Sequence, residues 1–258
     1  MRNSYVLKRG YLGALRLGVL AQAAGPGTAT LLDRLHWQPG WRCLDVGCGL
    51  GFVARELTRR GGRTIGVDSA VEFVEAAQQG GGADFLQLDL SDLDRLGEKF
   101  QLICARYVLS HQTDPLQAVV GMAAQLEPGG YLVLEDVDFP AHVWHPACPA
   151  LERYLELYQE CARLRGGDAR LGRRLWQLVE AAGLTSLYLG LNQPVHRHGP
   201  ERRVPELTLS HIGGALQEFD LCGRSELAAL LGEIRQWRRE PGVISLAPTH
   251  QVIAQKIS

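Results

Sequence analysis

From about residue 28 onward, short apolar runs alternate with helix-type patterns of apolar residues, and this alternation most constrains the fold. Five strand-and-helix units are followed by two further strands, at 42–46, 64–68, 84–88, 101–105, 131–135, 185–191 and 251–257. Regular alternation of this kind is typical of a mostly parallel sheet covered by helices on both faces. It predicts the α/β class: a three-layer sandwich with a seven-stranded, mostly parallel sheet and helical lid segments.

The chain of 258 residues is expected to form one domain, built from four segments. These are an N-terminal lid helix (1–27), a ligand-binding core (28–139), a helical insertion or lid (140–182), and the C-terminal strands and helices of the sheet (183–258). The first core helix is predicted over 28–37 and is expected to end before Pro39-Gly40. The last helix is predicted to begin at Ser225, a residue type that favours the N-cap position.

A formal net charge of −1 argues against a strongly basic surface and so against a nucleic-acid partner. The six cysteines lack metal-ligand spacing, so we predict no metal site, no disulfide framework and a cytoplasmic location. Arg16 interrupts the N-terminal apolar stretch, whereas a membrane span needs about 20 apolar residues. An amphipathic helix is expected there, and a signal peptide ending near Ala23 is the less favoured alternative. We expect a monomer or homodimer with no membrane partner.

The segment 44–52 reads Leu-Asp-Val-Gly-Cys-Gly-Leu-Gly-Phe and joins the first strand to the following helix. Its alternate glycines let a ligand lie against the backbone, at the position where open α/β sheets bind their ligands. Dinucleotide-binding enzymes favour G-x-G-x-x-G, whereas the spacing here is Gly47-x-Gly49-x-Gly51. Asp45 would repel a pyrophosphate, but it suits a cofactor that bears an ammonium group. The loop therefore favours S-adenosylmethionine (SAM) over a nicotinamide dinucleotide.

Two further acidic residues follow the next two predicted strands. Asp68 lies 21 positions after Gly47, close to the interval of about 20 residues that leads to a ribose-binding carboxylate. Asp89 follows the third strand, where an acid can accept a hydrogen bond from an adenine amino group. Each acid has an alternative role as a cap of a turn or helix. Three acids at successive strand ends beside one glycine loop nevertheless favour cofactor binding.

These motifs resemble those of the class I SAM-dependent methyltransferases. The segments that carry the resemblance are 44–51, 66–68, 87–90, 100–111 and 126–135. The resemblance implies a Rossmann-like sheet in which 28–139 is the SAM-binding core. The residues that it implies as SAM contacts are Asp45, Gly47, Cys48, Gly49, Asp68, Ser69, Asp89, Leu90 and the backbone at Arg106. Gln101 departs from the aspartate that many members have there, at a position that supports the strand.

The methyl acceptor is less well defined. Methyl transfer from a sulfonium is an in-line displacement, so positioning is the main task, and a hydroxyl acceptor also benefits from a general base. Candidate catalytic residues are Tyr107, His111 and His142, followed by Asp136, Asp138 and His145. Aromatic side chains in the expected lids indicate a small, partly apolar acceptor, unless they only bury helices against the sheet: Tyr5, Tyr11, Trp144, Tyr154, Tyr158 and Trp176.

The sequence thus predicts a SAM-dependent methyltransferase that acts on a small molecule. The Asn-Pro-Pro-Tyr motif is absent, which argues against methylation of exocyclic nitrogens in DNA. Two alternatives stay open at this point: an NAD(P)-dependent oxidoreductase with a Rossmann fold, and a SAM-binding protein without catalytic activity.

Overall fold

The computed structural model describes residues 11–257, so Tyr5 of the expected lid lies outside the described residues. The strands are β1 (Arg42–Val46), β2 (Arg63–Asp68), β3 (Asp84–Gln87), β4 (Phe100–Arg106), β5 (Leu126–Val137), β6 (Val143–His145), β7 (Thr185–Asn192), β8 (Val195–His196), β9 (Val243–Ser245) and β10 (Thr249–Gln255). The α-helices are α1 (Tyr11–Leu32), α2 (Phe52–Arg59), α3 (Val71–Gly80), α4 (Pro115–Gln125), α5 (Pro149–Leu164), α6 (Leu175–Ala181), α7 (Val204–Glu218) and α8 (Arg224–Arg239). Among these described helices, none combines the length and apolar character that crossing a bilayer requires.

Seven strands form one sheet in the order β3-β2-β1-β4-β5-β10-β7. The strands from β1 to β5 run parallel to one another, whereas β10 is antiparallel to both β5 and β7. The predicted seven-stranded, mostly parallel sheet is therefore confirmed. The strand order reverses between β1 and β4, and open α/β sheets bind ligands outside the carboxyl ends of their strands at such a point.

Helices cover both faces of this sheet because its central strands are apolar on both sides. On one face, Leu31 of α1 and Leu57 of α2 pack with Leu102 of β4. On the other face, Met122 of α4 and Leu178 of α6 share a core with Ile103. Adjacent residues of a strand point to opposite faces, so Leu102 and Ile103 belong to different layers. The three-layer sandwich follows from this arrangement.

Helix α1 corrects the expected N-terminal boundary. It runs from Tyr11 to Leu32 and contains Pro26, so the division between 1–27 and 28–139 falls inside one helix. The predicted core helix at 28–37 is only the end of α1, which stops at Leu32. Proline disfavours a helix interior, but Leu31 and Leu32 are fully buried on the far side of Pro26. Their packing against the sheet stabilises the continuous helix.

A second apolar core lies beside the sandwich and corrects the expected grouping of residues 183–258. It joins Val19 of α1 with α5, α7 and α8, and Ile244 of the small antiparallel sheet β6-β9-β8 belongs to it. Neither α7 nor this small sheet was predicted, and α7 and α8 pack here and not on the large sheet. Helix α8 begins at Arg224 after Gly223, so Ser225 lies in its first turn and is not the N-cap.

Candidate functional site

A cavity lies at the carboxyl ends of β1, β2 and β4, where the strand order reverses. The loop between β1 and α2 lines it, with φ values of 65° at Gly47 and 51° at Gly49. These left-handed values favour glycine. A Cβ on Gly47 would also collide with the side chain of Val108. Gly47 is therefore required by its backbone conformation and by its neighbour, and the loop leaves its backbone open to a ligand.

Asp45 of β1 is 1% exposed and lines the cavity. Its Oδ2 accepts a hydrogen bond from the backbone N–H of Ala54 at 2.9 Å. The carboxylate thus caps α2 from the neighbouring strand, because Gly51 at the N-cap has no side chain to do so. Burial raises the pKa of Asp45 to about 7, while the Arg106 guanidinium opposes this rise. The group is therefore poised to ionise when a cation binds beside it.

Asp68 and Asp89 also combine a structural contact with a position on the cavity wall. Asp68 accepts from the backbone N–H groups of Gly49 and Ala70, each at 2.9 Å. Asp89 Oδ1 accepts from the backbone N–H and the hydroxyl of Ser91, at 3.0 and 2.8 Å. The capping roles left open by the sequence are therefore present. Because a carboxylate oxygen accepts more than one hydrogen bond, these contacts leave capacity for a ligand.

The structure brings all the predicted cofactor residues together around this cavity: Asp45, Gly47, Cys48, Gly49, Asp68, Ser69, Asp89, Leu90 and Arg106. We call one part of the cavity the glycine-loop end, defined by Asp45, Gly47, Gly49, Asp68 and Asp89. The other part is the helix-lined end, defined by Arg16, His111, Phe139, His142 and Tyr158.

Tyr107, the first predicted catalytic residue, lines the cavity directly after β4. Its φ of 60° is uncommon for a bulky side chain and marks local backbone strain. The hydroxyls of Tyr107 and Thr249 are hydrogen-bonded at 2.8 Å. Burial raises the pKa of Tyr107 to about 12. Tyr107 is therefore a neutral phenol at pH 7, suited to orienting a ligand and not to removing a proton.

His111 and His142, the other two predicted catalytic residues, line the same cavity. Burial lowers both pKa values to about 4, and the nearby Arg16 charge also lowers them. The Nδ1–H of His142 donates to the carbonyl oxygen of Phe139 at 2.7 Å, which leaves the lone pair of the neutral ring on Nε2. The same ring packs edge-on against Phe139. The Nε2 of His142 is therefore an oriented hydrogen-bond acceptor.

The three secondary candidates do not line this cavity. Asp136 is fully buried and accepts from the backbone N–H of Ser110 at 2.9 Å. Asp138 forms an ion pair with Arg173 at 2.7 Å. His145 is exposed on β6. The two aspartates therefore hold the segments that follow β4 and β5.

The aromatic residues expected in lids divide between the two interpretations. Tyr158 lines the cavity. Tyr154 is 1% exposed within the second apolar core, and Trp144 packs against that core. Trp176 is 40% exposed on α6. Packing in the second apolar core thus accounts for Tyr154 and Trp144, whereas Tyr158 belongs to that core and also lines the cavity.

Sequence analysis missed a buried polar network that fixes α1 to the sheet. Glu135, 3% exposed on β5, accepts from the Thr28 hydroxyl at 2.7 Å and from Gln251 Nε2 at 2.8 Å. Arg106 donates to the same hydroxyl at 3.0 Å. An acidic residue inside an apolar strand was the available signal, since buried carboxylates are normally paired. The network positions Arg106 on the cavity wall.

Comparison with known proteins identifies the family. Residues 19–189, more than half of the chain, match the family described as a methyltransferase domain. The chain belongs to this methyltransferase family. The resemblance to class I SAM-dependent methyltransferases, first carried by the glycine loop and the strand-end acids, is thereby confirmed. The oxidoreductase alternative is not favoured.

Individual relatives match parts of this methyltransferase chain. It is 37% identical over 125 residues to an uncharacterized 37.1 kDa protein in transposon TN4556 of Streptomyces fradiae, covering 45% of the chain and 36% of that protein. It is 33% identical over 99 residues to the ubiquinone biosynthesis O-methyltransferase of Cereibacter sphaeroides, covering 36% and 40%. The chain thus spans about two fifths of the length of these relatives. The crystal structure of BH2331 from Bacillus halodurans C-125 shares the fold, with a TM-score of 0.61, 17% identity and coverage of 91% of this chain and 100% of that one.

Proposed function

We propose that this chain transfers a methyl group from SAM to a small-molecule acceptor by in-line displacement. One observation carries the proposal: a single cavity has the glycine loop and three strand-end acids at one end and neutral histidines among apolar side chains at the other. Such a cavity can hold a cationic nucleoside and an acceptor side by side. Family membership supports the same reaction.

The residues of the glycine-loop end fit SAM in charge and in shape. SAM supplies a methyl group on a positively charged sulfur, together with an ammonium group and an adenosine. We assign the methionine part to Asp45 and the loop at Gly47, Cys48 and Gly49, the ribose to Asp68 and Ser69, the adenine to Asp89 and Leu90, and the amino group also to the backbone at Arg106. The open loop backbone and the acids line the cavity, as binding of a cation against the loop requires.

The helix-lined end is proposed to hold the acceptor away from water. Its apolar walls include Phe139 and Tyr158, and a dry pocket favours a displacement in which positive charge leaves sulfur. The similarity to an enzyme named as an O-methyltransferase supports a hydroxyl as the acceptor group. His142 Nε2 then accepts the hydroxyl proton, and Tyr107 and His111 orient the acceptor.

We also propose that the protein works in the cytoplasm. All six cysteines are free and buried. Free thiols of this kind are the ordinary form in a reducing compartment.

Thermal shift with S-adenosylhomocysteine (SAH) and with NADH tests the cofactor assignment. We expect SAH to raise the melting temperature in a concentration-dependent way and NADH to leave it unchanged, because only a ligand of the native state stabilises it. A shift with NADH alone would overturn the proposal in favour of an oxidoreductase.

Activity needs a separate measurement on the same protein. We expect methyl transfer from SAM to at least one member of a panel of small hydroxylated compounds, detected by mass spectrometry as a gain of one methyl group. SAH binding without methylation of any panel member would replace the proposal with the non-catalytic alternative.

A further inference from the structure

Arg16 of α1 is a buried cation on the wall of the helix-lined end. The residue is 8% exposed, and its Nε donates to the hydroxyl of Thr208, a fully buried residue of α7, at 2.8 Å. Within residues 11–257 no Asp or Glu forms an ion pair with Arg16 at a limit of 4.0 Å. Residues 1–10 contain neither Asp nor Glu. A neutral hydroxyl therefore anchors the guanidinium, and no acidic side chain of residues 11–257 pairs with it directly.

The other titratable groups at the helix-lined end do not supply the missing charge. His111 and His142 are neutral at pH 7, because burial lowers their pKa values to about 4, and the influence of Arg16 on both places its charge in the same part of the cavity. The acids that line the cavity all belong to the glycine-loop end, and Asp138, whose charge acts on His142, is paired with Arg173. The cavity is therefore acidic at the end assigned to the cofactor and cationic at the end assigned to the acceptor.

Burying a guanidinium without an opposite charge is costly, and structural arginines normally offset this cost with a paired carboxylate. The contact with Thr208 uses Nε alone. The two terminal nitrogens belong to a planar fork that matches the two oxygens of a carboxylate. An anionic ligand at this position would complete the pairing that the protein leaves open.

We propose that the helix-lined end selects acceptors that carry a carboxylate, which pairs with Arg16. This inference rests on the proposed function, because it names the acceptor class for the same site. The rings of Phe139 and Tyr158 are stacked with centroids 3.6 Å apart and give this end an apolar wall. The acceptor is thus a small, partly apolar carboxylic acid whose methylated atom faces the glycine-loop end.

Calorimetric titration of the SAH-bound protein tests this assignment. The probes are hydroxybenzoates and hydroxycinnamates, each paired with its methyl ester, and inorganic phosphate as a separate anion. We expect the carboxylates to bind at least about tenfold more tightly than their esters, as for hydrogen bonds to a charged group. Arg16→Gln should abolish this preference while SAH affinity stays unchanged. Arg34→Gln, at an exposed position next to α1, is the matched control and should keep the preference.

Each other outcome counts against the assignment. Equal binding of acids and esters, no binding of any carboxylate, or a preference that survives in Arg16→Gln would overturn it, and tighter binding of phosphate would replace the carboxylate with a phosphate. If Arg16→Gln does not fold, Arg16→Lys keeps the charge without the planar fork and should retain only part of the preference. Failure of SAH to bind the wild-type protein would instead overturn the proposed function itself.

Discussion

The two ends of the cavity are built in different ways. The glycine-loop end comes from the carboxyl ends of β1 and β2 and the loops that follow β1, β2 and β3, so residues 45–89 contain every group that defines it. The helix-lined end takes Arg16 from α1, His111 from a 3-10 helix after β4, and Tyr158 from α5. Its geometry therefore depends on how α1, α5 and α7 pack in the second apolar core.

This difference separates binding from chemistry. At the glycine-loop end the acids hold the loop and cap helices through backbone N–H groups, so substitutions there should change SAH affinity. At the helix-lined end the ring of His142 donates one hydrogen bond, to the carbonyl oxygen of Phe139. Substitutions there should change acceptor turnover and leave SAH affinity intact.

The largest effect is expected at the glycine loop itself. Gly47→Ala should weaken SAH binding roughly a hundredfold or more, because the new Cβ combines backbone strain with a collision against Val108. Isothermal titration calorimetry measures this affinity. Gly129→Ala is the matched control, since Gly129 has a φ of 80° but open space around it. Equal SAH affinity in both variants would show that the loop does not bind the cofactor.

The next effect tests the helix-lined end. His142→Ala should lower kcat about a hundredfold with a hydroxyl acceptor, the lower part of the range for loss of a general base, with SAH affinity unchanged. Since burial lowers the pKa of His142 to about 4, the wild-type kcat at saturating SAM should stay flat from pH 6 to 8 and fall only as pH approaches that value. His145→Ala, exposed on β6, is the control. A wild-type kcat in His142→Ala would exclude this histidine as the base.

Asp68→Ala should reduce SAH affinity by about 1.5–3 kcal/mol, the range for hydrogen bonds to a charged group. Part of this loss comes from the loop, because Asp68 also accepts from the backbone of Gly49. Asp84→Ala, at the opposite end of β3, removes an exposed carboxylate and should change nothing. Unchanged affinity in Asp68→Ala would reject the ribose assignment.

The same contrast explains what the sequence could reveal. The seven strands, the glycine loop and its acids follow from short-range patterns in the sequence. The start of helix α4 is equally local: Pro115 follows Asp114, whose side chain accepts from the N–H of Gln117 at 3.0 Å. The cofactor residues could be predicted from the positions of the strand ends alone, because the topology of an α/β sheet places these ends at one edge.

Helix α7 shows why the other end could not be predicted. Most of its residues are buried, including Thr208 and His211, because α1, α5 and α8 all pack around it. A helix buried on most sides lacks the apolar stripe that reveals a surface helix in sequence. In the sequence, Arg16 therefore only interrupts an apolar stretch. Its hydrogen bond to Thr208 could not be predicted, because the two residues are 192 positions apart.

The smallest effect concerns the charge state of Asp45. Its carboxyl pKa is raised to about 7 by burial, so the free protein holds a growing fraction of it protonated as pH falls through 7. An ammonium group binds the ionised form, so SAH affinity should fall by up to about tenfold between pH 7.5 and 6. Asp45→Asn should flatten this dependence in titration calorimetry at matched ionic strength. His111 and His142 do not titrate in that interval, since their pKa values are near 4. A pH dependence that persists in Asp45→Asn would therefore assign the proton to a group other than Asp45 and reject the pairing of this carboxylate with the ammonium group.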